Sequence, residues 1–288
     1  MKWTRVISGY VLLLISVLLI LPSLSVSASE VYRIPIKNEV EKGLYAFLQR
    51  AFEEAEEAGA DVVILDIDTP GGFVDTAGDI AKLMDETPLT TIAFINSDAL
   101  SAGAFIALHA DKIYMVPSGR IGAAAVIDGA GNAAEDKAVS AWSAAMITAA
   151  ESSNRDPEYA LAMADKSVDL PEYRAPDGKL LTLSANEAVK VGYSEGTVAS
   201  FEELITKLNL SEATVTSLNE TFAEKVARFV TNPIIVPILL SIASLGLIVE
   251  LYSPGFGIAG TMGLSALGLF FFGHLVAGLA GYESIILF

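Results

Sequence analysis

No cysteine occurs among the 288 residues. Disulfides, thiol nucleophiles and cysteine-ligated zinc are excluded, and the chain is compatible with an oxidising compartment. Histidine is nearly as scarce: His109 and His274 are the only two, too few and too far apart for a histidine-based metal site. Positive charge is missing from the C-terminal end, where no Lys or Arg follows Arg228. Charge is sparse throughout, at 18% of residues against 52% apolar, and mean hydropathy is +0.51. That balance is too apolar for an ordinary soluble protein.

The apolar excess sits at the two ends. Lys2 and Arg5 precede an apolar run from Val6 to Leu21 that Pro22 ends, and Val26-Ser27-Ala28 offers small residues where a signal peptidase cleaves. Residues 1–28 read as a signal peptide or, uncleaved, as an anchor, and both readings place the adjoining domain outside the cytoplasm. At the other end, 233–251 and 256–280 are almost wholly apolar. Each is long enough to cross a hydrocarbon core of about 30 Å at about 1.5 Å per residue. Pro254-Gly255 reads as the tight turn between them, so 232–288 is expected to be a transmembrane hairpin, with Ser284–Phe288 opening a further apolar segment. Glu250, near the end of the first span, is expected at the interface. His274, inside the second, is expected to hydrogen-bond between helices. Lys225 and Arg228 flank the first span on the domain side, against the positive-inside tendency; the signal peptide is the stronger indicator of orientation.

The middle segment, 29–231, carries the whole net charge of −17, since Lys2 and Arg5 at one end offset Glu250 and Glu283 at the other. Such an acidic surface repels nucleic-acid backbones. Here the period alternates. Val31–Ile36, Asp61–Ile67, Thr90–Ile95 and Lys112–Val116 read as strands. Val40–Ala58, Asp75–Asp85, Ser101–His109 and Glu135–Ser152 read as helices, and a Gly-rich connection runs through Gly119, Gly122, Gly129 and Gly131. The alternation argues for βαβ units and a largely parallel sheet. Ser184-Ala185-Asn186-Glu187 fits a capping box, in a helix that ends near Gly192 as a left-handed cap.

One serine stands out by position. Ser101 follows the Thr90–Ile95 strand after a short turn and opens a helix, where free amides and partial positive charge favour a developing oxyanion. Ala102 and Gly103 let backbone approach closely. From position alone Ser101 serves equally as a helix N-cap. His109, eight residues on, lies about 12 Å along the helix axis, which excludes a Ser-His-Asp triad. A lysine can act as base if its pKa falls from about 10.4 toward 7–8. Lys137 is the best placed, in the first turn of a helix, with Ala133, Ala134, Ala138 and Trp142 expected to desolvate it and Glu135 and Asp136 opposing. Lys112 and Lys166 are weaker candidates. Thr69-Pro70-Gly71-Gly72 comes after a buried strand at the edge where open α/β sheets bind ligands, and its glycine amides are expected to be free donors, or merely part of a turn. Asp66 and Asp68 lack the second motif that a paired-carboxylate protease needs, and are expected to orient the loop after them.

Thr69-Pro70-Gly71-Gly72, Ser101-Ala102-Gly103 and Ile121-Gly122-Ala123, in that order, resemble the Clp/crotonase superfamily. The signal peptide, the lysine in place of histidine and the hairpin with Glu250-Leu251-Tyr252-Ser253-Pro254-Gly255 narrow the resemblance to the NfeD family of membrane-bound serine proteases, relatives of signal peptide peptidase A. The resemblance implies a Clp/crotonase-like ββα-repeat α/β domain followed by transmembrane helices. It implies an ATP-independent endopeptidase without cofactor or metal, using a dyad of Ser101 and Lys137. Its oxyanion donors would be the Gly72 and Ala102 amides, with Gly71 lining the substrate site. It implies a peptide or protein substrate, a stomatin-like membrane partner cleaved in an apolar stretch, and a homo-oligomer. Long family members continue past the spans into a small β-barrel of OB type; this sequence stops before it, as a fragment would or as a protein whose barrel is absent or encoded separately. Two rival readings remain at this point: a catalytically silent scaffold for a stomatin-like protein, and a crotonase-type acyl-CoA enzyme.

Overall fold

The computed structural model describes residues 29–128, 131–252 and 257–278. The expected signal peptide, Gly129, the Pro254-Gly255 turn and the segment from 279 onward lie outside the described residues. β-Branched runs build a sheet from β1 (Glu30–Val40), β2 (Val62–Gly72), β3 (Thr90–Leu100), β4 (Lys112–Met115), β5 (Arg120–Gly122), β6 (Thr182–Ser184), β7 (Gly196–Thr197) and β8 (Thr214–Ser217). The order is β6-β5-β3-β2-β1-β8, with β4 paired to β3 and β7 to β4. Every pairing is parallel except β5 with β6. The domain is the α/β class that the sequence implies.

Both faces of the sheet are covered, which is why its strands read as continuous apolar runs rather than alternating ones. On one face lie α1 (Lys42–Glu57), α2 (Val74–Glu86) and α3 (Ala102–Leu108). α1 turns Leu44, Phe47, Leu48, Ala51, Phe52 and Ala55 inward at helical spacing. The Glu41 carboxylate caps it by accepting from the Gly43 and Leu44 amides at 2.6 and 2.9 Å. Beyond β5 come α4 (Asp136–Ser152), α5 (Pro157–Ala164), α6 (Ala185–Lys190) and α7 (Phe201–Lys207). On the other face Val31, Ile64, Ile92, Phe94 and Tyr114 form a second cluster with Phe201 and Leu204 of α7.

Two strands run further than the residue pattern suggests. β2 continues through Thr69-Pro70-Gly71-Gly72 and β3 through Leu100. Register shifts near Asp68 in both β2 ladders absorb the proline. The Pro-Gly-Gly string is therefore a strand end, not a turn. At α6, the Ser184 N–H and hydroxyl both donate to Glu187, at 3.0 and 2.7 Å, and Gly192 takes the expected left-handed conformation at φ 76°.

The C-terminal region contains α8 (Phe222–Val230), α9 (Ile235–Leu251) and α10 (Ile258–Val276). Among the described residues α10 alone suffices by length and composition to cross a membrane, while α8 and α9 pass together but bend by 80° at their junction. α9 and α10 meet through small residues: a Cβ on Gly246 would lie 2.6 Å from the Ala259 carbonyl oxygen. Glu250 has a local task. Its carboxylate accepts from the Gly257 and Gly260 amides at 2.5 and 2.7 Å, capping the start of α10. Among the described residues His274 makes no bond between helices. Its Nδ1 lies 2.8 Å from the Phe270 carbonyl one turn back in α10, because the i−4 carbonyl is the acceptor within its reach.

α8 is fastened to the sheet domain by ions. Arg50 holds Glu224 through Nε at 2.7 Å and Nη2 at 3.0 Å. Arg228 pairs with Glu41 at 2.6 Å and with Glu220, and donates to the Glu39 carbonyl at 2.9 Å. The Arg228 charge is thereby neutralised within the protein.

Candidate active site

Ser101 joins β3 to α3. It occupies the N-cap position, but not as a cap. An ordinary N-cap has extended backbone and a hydroxyl that accepts from an amide of the first turn. Ser101 has φ 54° and ψ −121°, and its hydroxyl caps nothing. Such a conformation costs a non-glycine residue about 1–3 kcal/mol and persists only where surrounding structure imposes it.

Three segments impose it. The Ser101 N–H donates to the Gly122 carbonyl at 2.9 Å, and its own carbonyl accepts from the Ala104 and Phe105 amides at 3.0 and 3.3 Å. Leu100 pairs with Gly122 on β5, and Ala99 with Thr69 on β2. Gly71 closes the corner. Its φ is 109°, and a Cβ there would collide with the Ser101 Cβ and lie 2.9 Å from Oγ. Glycine is required on both counts. The three motifs thus converge on one serine.

The amides are not all free. The Gly71 N–H donates to Thr69 Oγ1 at 3.1 Å, while the Thr69 hydroxyl donates to the Asn38 carbonyl at 2.5 Å. The expectation of a free donor is corrected for Gly71, because a buried hydroxyl oxygen two residues back accepts its N–H. Gly72 lies opposite Val40 in the β1 ladder. The Ala102 N–H, first in α3, has no acceptor among the described residues.

α3 is buried along its whole length. Its far end is held by Arg155, which sequence reading missed. This buried guanidinium donates to the carbonyls of Ala110 (3.2 Å), Leu108 (3.4 Å) and Tyr193 (3.1 Å), and burial pushes its pKa down. No short-range pattern announces such a contact, since its partners lie more than 35 residues away. His109 sits at that same end, with Nδ1 2.9 Å from Asp85 and its ring 4.7 Å from Phe105. Ser101 stands at the opposite end of the helix, consistent with the exclusion of a histidine triad.

Lys137 is the second residue of α4, exposed, with no ion pair or hydrogen bond among the described residues. No hydrogen bond joins it to Ser101. The expected desolvation is not found: Ala133 and Ala138 are themselves exposed. Trp142 lies five positions on, which turns it about 140° around the helix from Lys137. It packs instead on Phe105 of α3 at 4.7 Å and donates its indole N–H to the Ala124 carbonyl at 2.6 Å. Trp142 therefore ties the base of α4 to the serine's helix without covering Lys137. Lys112 and Lys166 are exposed. Asp66 is buried beneath Arg33, which donates from Nε at 3.0 Å and Nη2 at 2.5 Å. It braces β1 against β2 rather than orienting the loop.

A parallel α/β sheet with a strained serine at the carboxyl edge of its strands, continued by apolar helices, defines an α/β domain joined to a membrane region. Comparison with known proteins agrees with that class. The family described as NfeD1b, N-terminal domain, matches residues 30–218, and the NfeD integral membrane domain matches 234–288. The chain is a membrane protein that belongs to the NfeD family. It is 57% identical over 258 residues to membrane protein NfeD1b of Bacillus subtilis (strain 168), a match covering 90% of this chain and 59% of the relative. It is 27% identical over 285 residues to membrane-bound protease PH1510 of Pyrococcus horikoshii, covering 93% of this chain and 65% of that protein. The chain thus spans less than two thirds of either relative. Among solved structures it resembles the 1510-N membrane-bound stomatin-specific protease, as a lysine-to-alanine variant in complex with a substrate peptide. The TM-score is 0.63 at 25% identity, covering 72% of this chain and all of that one.

Proposed function

We propose that this chain is a membrane-anchored, ATP-independent serine endopeptidase, with Ser101 as nucleophile and Lys137 as general base. The observation that carries the reading is the Ser101 backbone: a strained serine, uncapped, packed against Gly71 and hydrogen-bonded to Gly122. Fold stability alone gives no reason to keep a non-glycine residue there.

In the proposed reaction, neutral Lys137 takes the proton of Ser101 as Oγ attacks a peptide carbonyl. The Gly72 and Ala102 amides stabilise the tetrahedral oxyanion, each such donor contributing about 2.7–4 kcal/mol. The lysine then protonates the leaving amine, and water attacks the acyl-enzyme, returning Ser101 to its hydroxyl form. Gly71 lines the substrate strand. The named protease relative and the peptide-bound, lysine-substituted neighbour support this reading. By the same analogy the substrate is an apolar stretch of a stomatin-like membrane protein. A cleaved signal peptide over 1–28, an extracytoplasmic domain over 29–231, a multi-pass anchor over 232–288 and self-association complete the proposal.

One observation favours a second reading. Lys137 is exposed and makes no hydrogen bond or ion pair among the described residues, as in a silent scaffold that organises a stomatin-like partner. Hydrolysis of an apolar peptide by the full chain in detergent separates the two. The protease reading expects turnover that is lost in Ser101→Ala and in Lys137→Ala; turnover indifferent to both substitutions overturns it.

A further inference from the structure

α8 falls between the two matched family segments, after 218 and before 234. Its amphipathicity runs opposite to that of a surface helix. The charged Glu224 and Arg228 face the protein, where Arg50, Glu41 and Glu220 neutralise them. Ala227 and Val230 complete that inner face. The outer face holds Phe222, Lys225 and Phe229, at spacings of three and four residues, with Phe222 84% and Phe229 63% exposed. Large aromatic side chains left bare on an otherwise acidic domain signal a surface that something covers.

The chain's own continuation says what covers it. A four-residue turn leads from α8 into α9, the first helix of the integral membrane domain, with an 80° bend. If α9 runs near the bilayer normal, α8 lies nearly in the membrane plane. Val230, at the end of α8, also packs on Gly273 near the end of α10. The start of α9 and the end of α10 therefore meet at one membrane face, beside α8. We infer that α8 is an interfacial helix that lies on the phospholipid bilayer with Phe222 and Phe229 inserted among acyl chains and Lys225 at the level of the lipid phosphates. Phenylalanines flanking a lysine on one stripe match the chemistry of that boundary. The ion pairs of Arg50 and Arg228 then hold the sheet domain at a fixed height and tilt over the membrane. The inference rests on the membrane domain and not on the protease reading.

The absence of cysteine makes the test clean. Single substitutions Phe222→Cys, Phe229→Cys, Leu245→Cys on α9 and Glu57→Cys on α1 are spin-labelled in the full chain, in phosphatidylcholine–phosphatidylglycerol nanodiscs. Collision with oxygen and with a water-soluble nickel chelate reports depth. All four positions are exposed, so folding is not at stake. The expected result is oxygen-rich, nickel-poor collision at 222 and 229 at nearly equal shallow depth, a deeper signal at 245 and a purely aqueous one at 57. Depths at 222 and 229 differing by about 10 Å, the axial length of seven helical residues, make α8 part of a span and overturn the inference. So does free nickel access at both positions, or protection from both reagents, which marks a protein partner or a second copy on this face.

Discussion

At the Ser101 corner, β2, β3 and β5 meet with bonded backbone, a required glycine and a buried helix. At Lys137 the chain has just left the connection after β5, and the side chain stands in solvent at the start of a helix whose buried residues, Trp142, Met146, Ala149 and Ala150, begin only five positions on. The contrast separates two kinds of preparation. Ser101, the proposed nucleophile, is organised by the fold, at a cost in backbone strain that the sheet offsets. Lys137, the proposed base, is exposed and makes no hydrogen bond or ion pair among the described residues, so the role proposed for it is chemical. A substitution at the first place changes stability and chemistry together, while one at the second changes chemistry alone.

The sharpest way to break that contrast is Ser101→Gly. Glycine accepts φ 54° without strain, so thermal unfolding should show a gain of about 1 kcal/mol while peptide hydrolysis disappears. Lys137→Ala should lower the hydrolysis rate about 10²–10⁴-fold. Its unfolding free energy should stay within about 0.5 kcal/mol, as for an exposed residue without partners. Thr69→Val keeps the shape but removes the hydroxyl that joins Asn38 to Gly71. Denaturant unfolding should show a loss of about 1–3 kcal/mol, with a fall in kcat and little change in KM as the Gly71 corner loosens.

The smallest effect lies far from the corner and sets its background. The Arg174 guanidinium holds the Glu187 carboxyl down to about 2, with Ser184 assisting. A depressed acid stabilises the fold above its unfolded value near 4.5 and loses that contribution as pH falls toward 2. Arg174 is exposed, so the pair is worth about 1 kcal/mol at most. Arg174→Ala should flatten the stability curve slightly between those pH values and leave hydrolysis unchanged at neutral pH.

Much of the sheet domain was legible because its elements announce themselves locally. Period and breakers placed β1 to β4 and the helices between them, and the position of Ser101 at a strand-to-helix junction was read from spacing alone. What escaped depends on distant pairing. β2 extends through Pro70 because β1 and β3 accept a shifted register, which nothing in the string itself shows. Arg50 finds Glu224 across 174 residues and Arg228 finds Glu41 across 187, so α8 was not recognised as a clamped element. The surroundings of Lys137 were misread for a geometric reason: Trp142 is near in sequence but on another side of the helix. Glu250 is expected at the interface from its position alone, and its capping partners, the Gly257 and Gly260 amides, are defined only once α9 and α10 pack together.

The central claim is that Ser101 is the reactive nucleophile and that Lys137 activates it. Treating the full-length protein with a fluorophosphonate probe and locating the adduct by peptide mass spectrometry tests it most directly. The account predicts a single adduct on the peptide bearing Ser101, greatly slowed in Lys137→Ala and absent in Ser101→Ala. An adduct on another serine, or labelling at Ser101 that ignores Lys137, would contradict it.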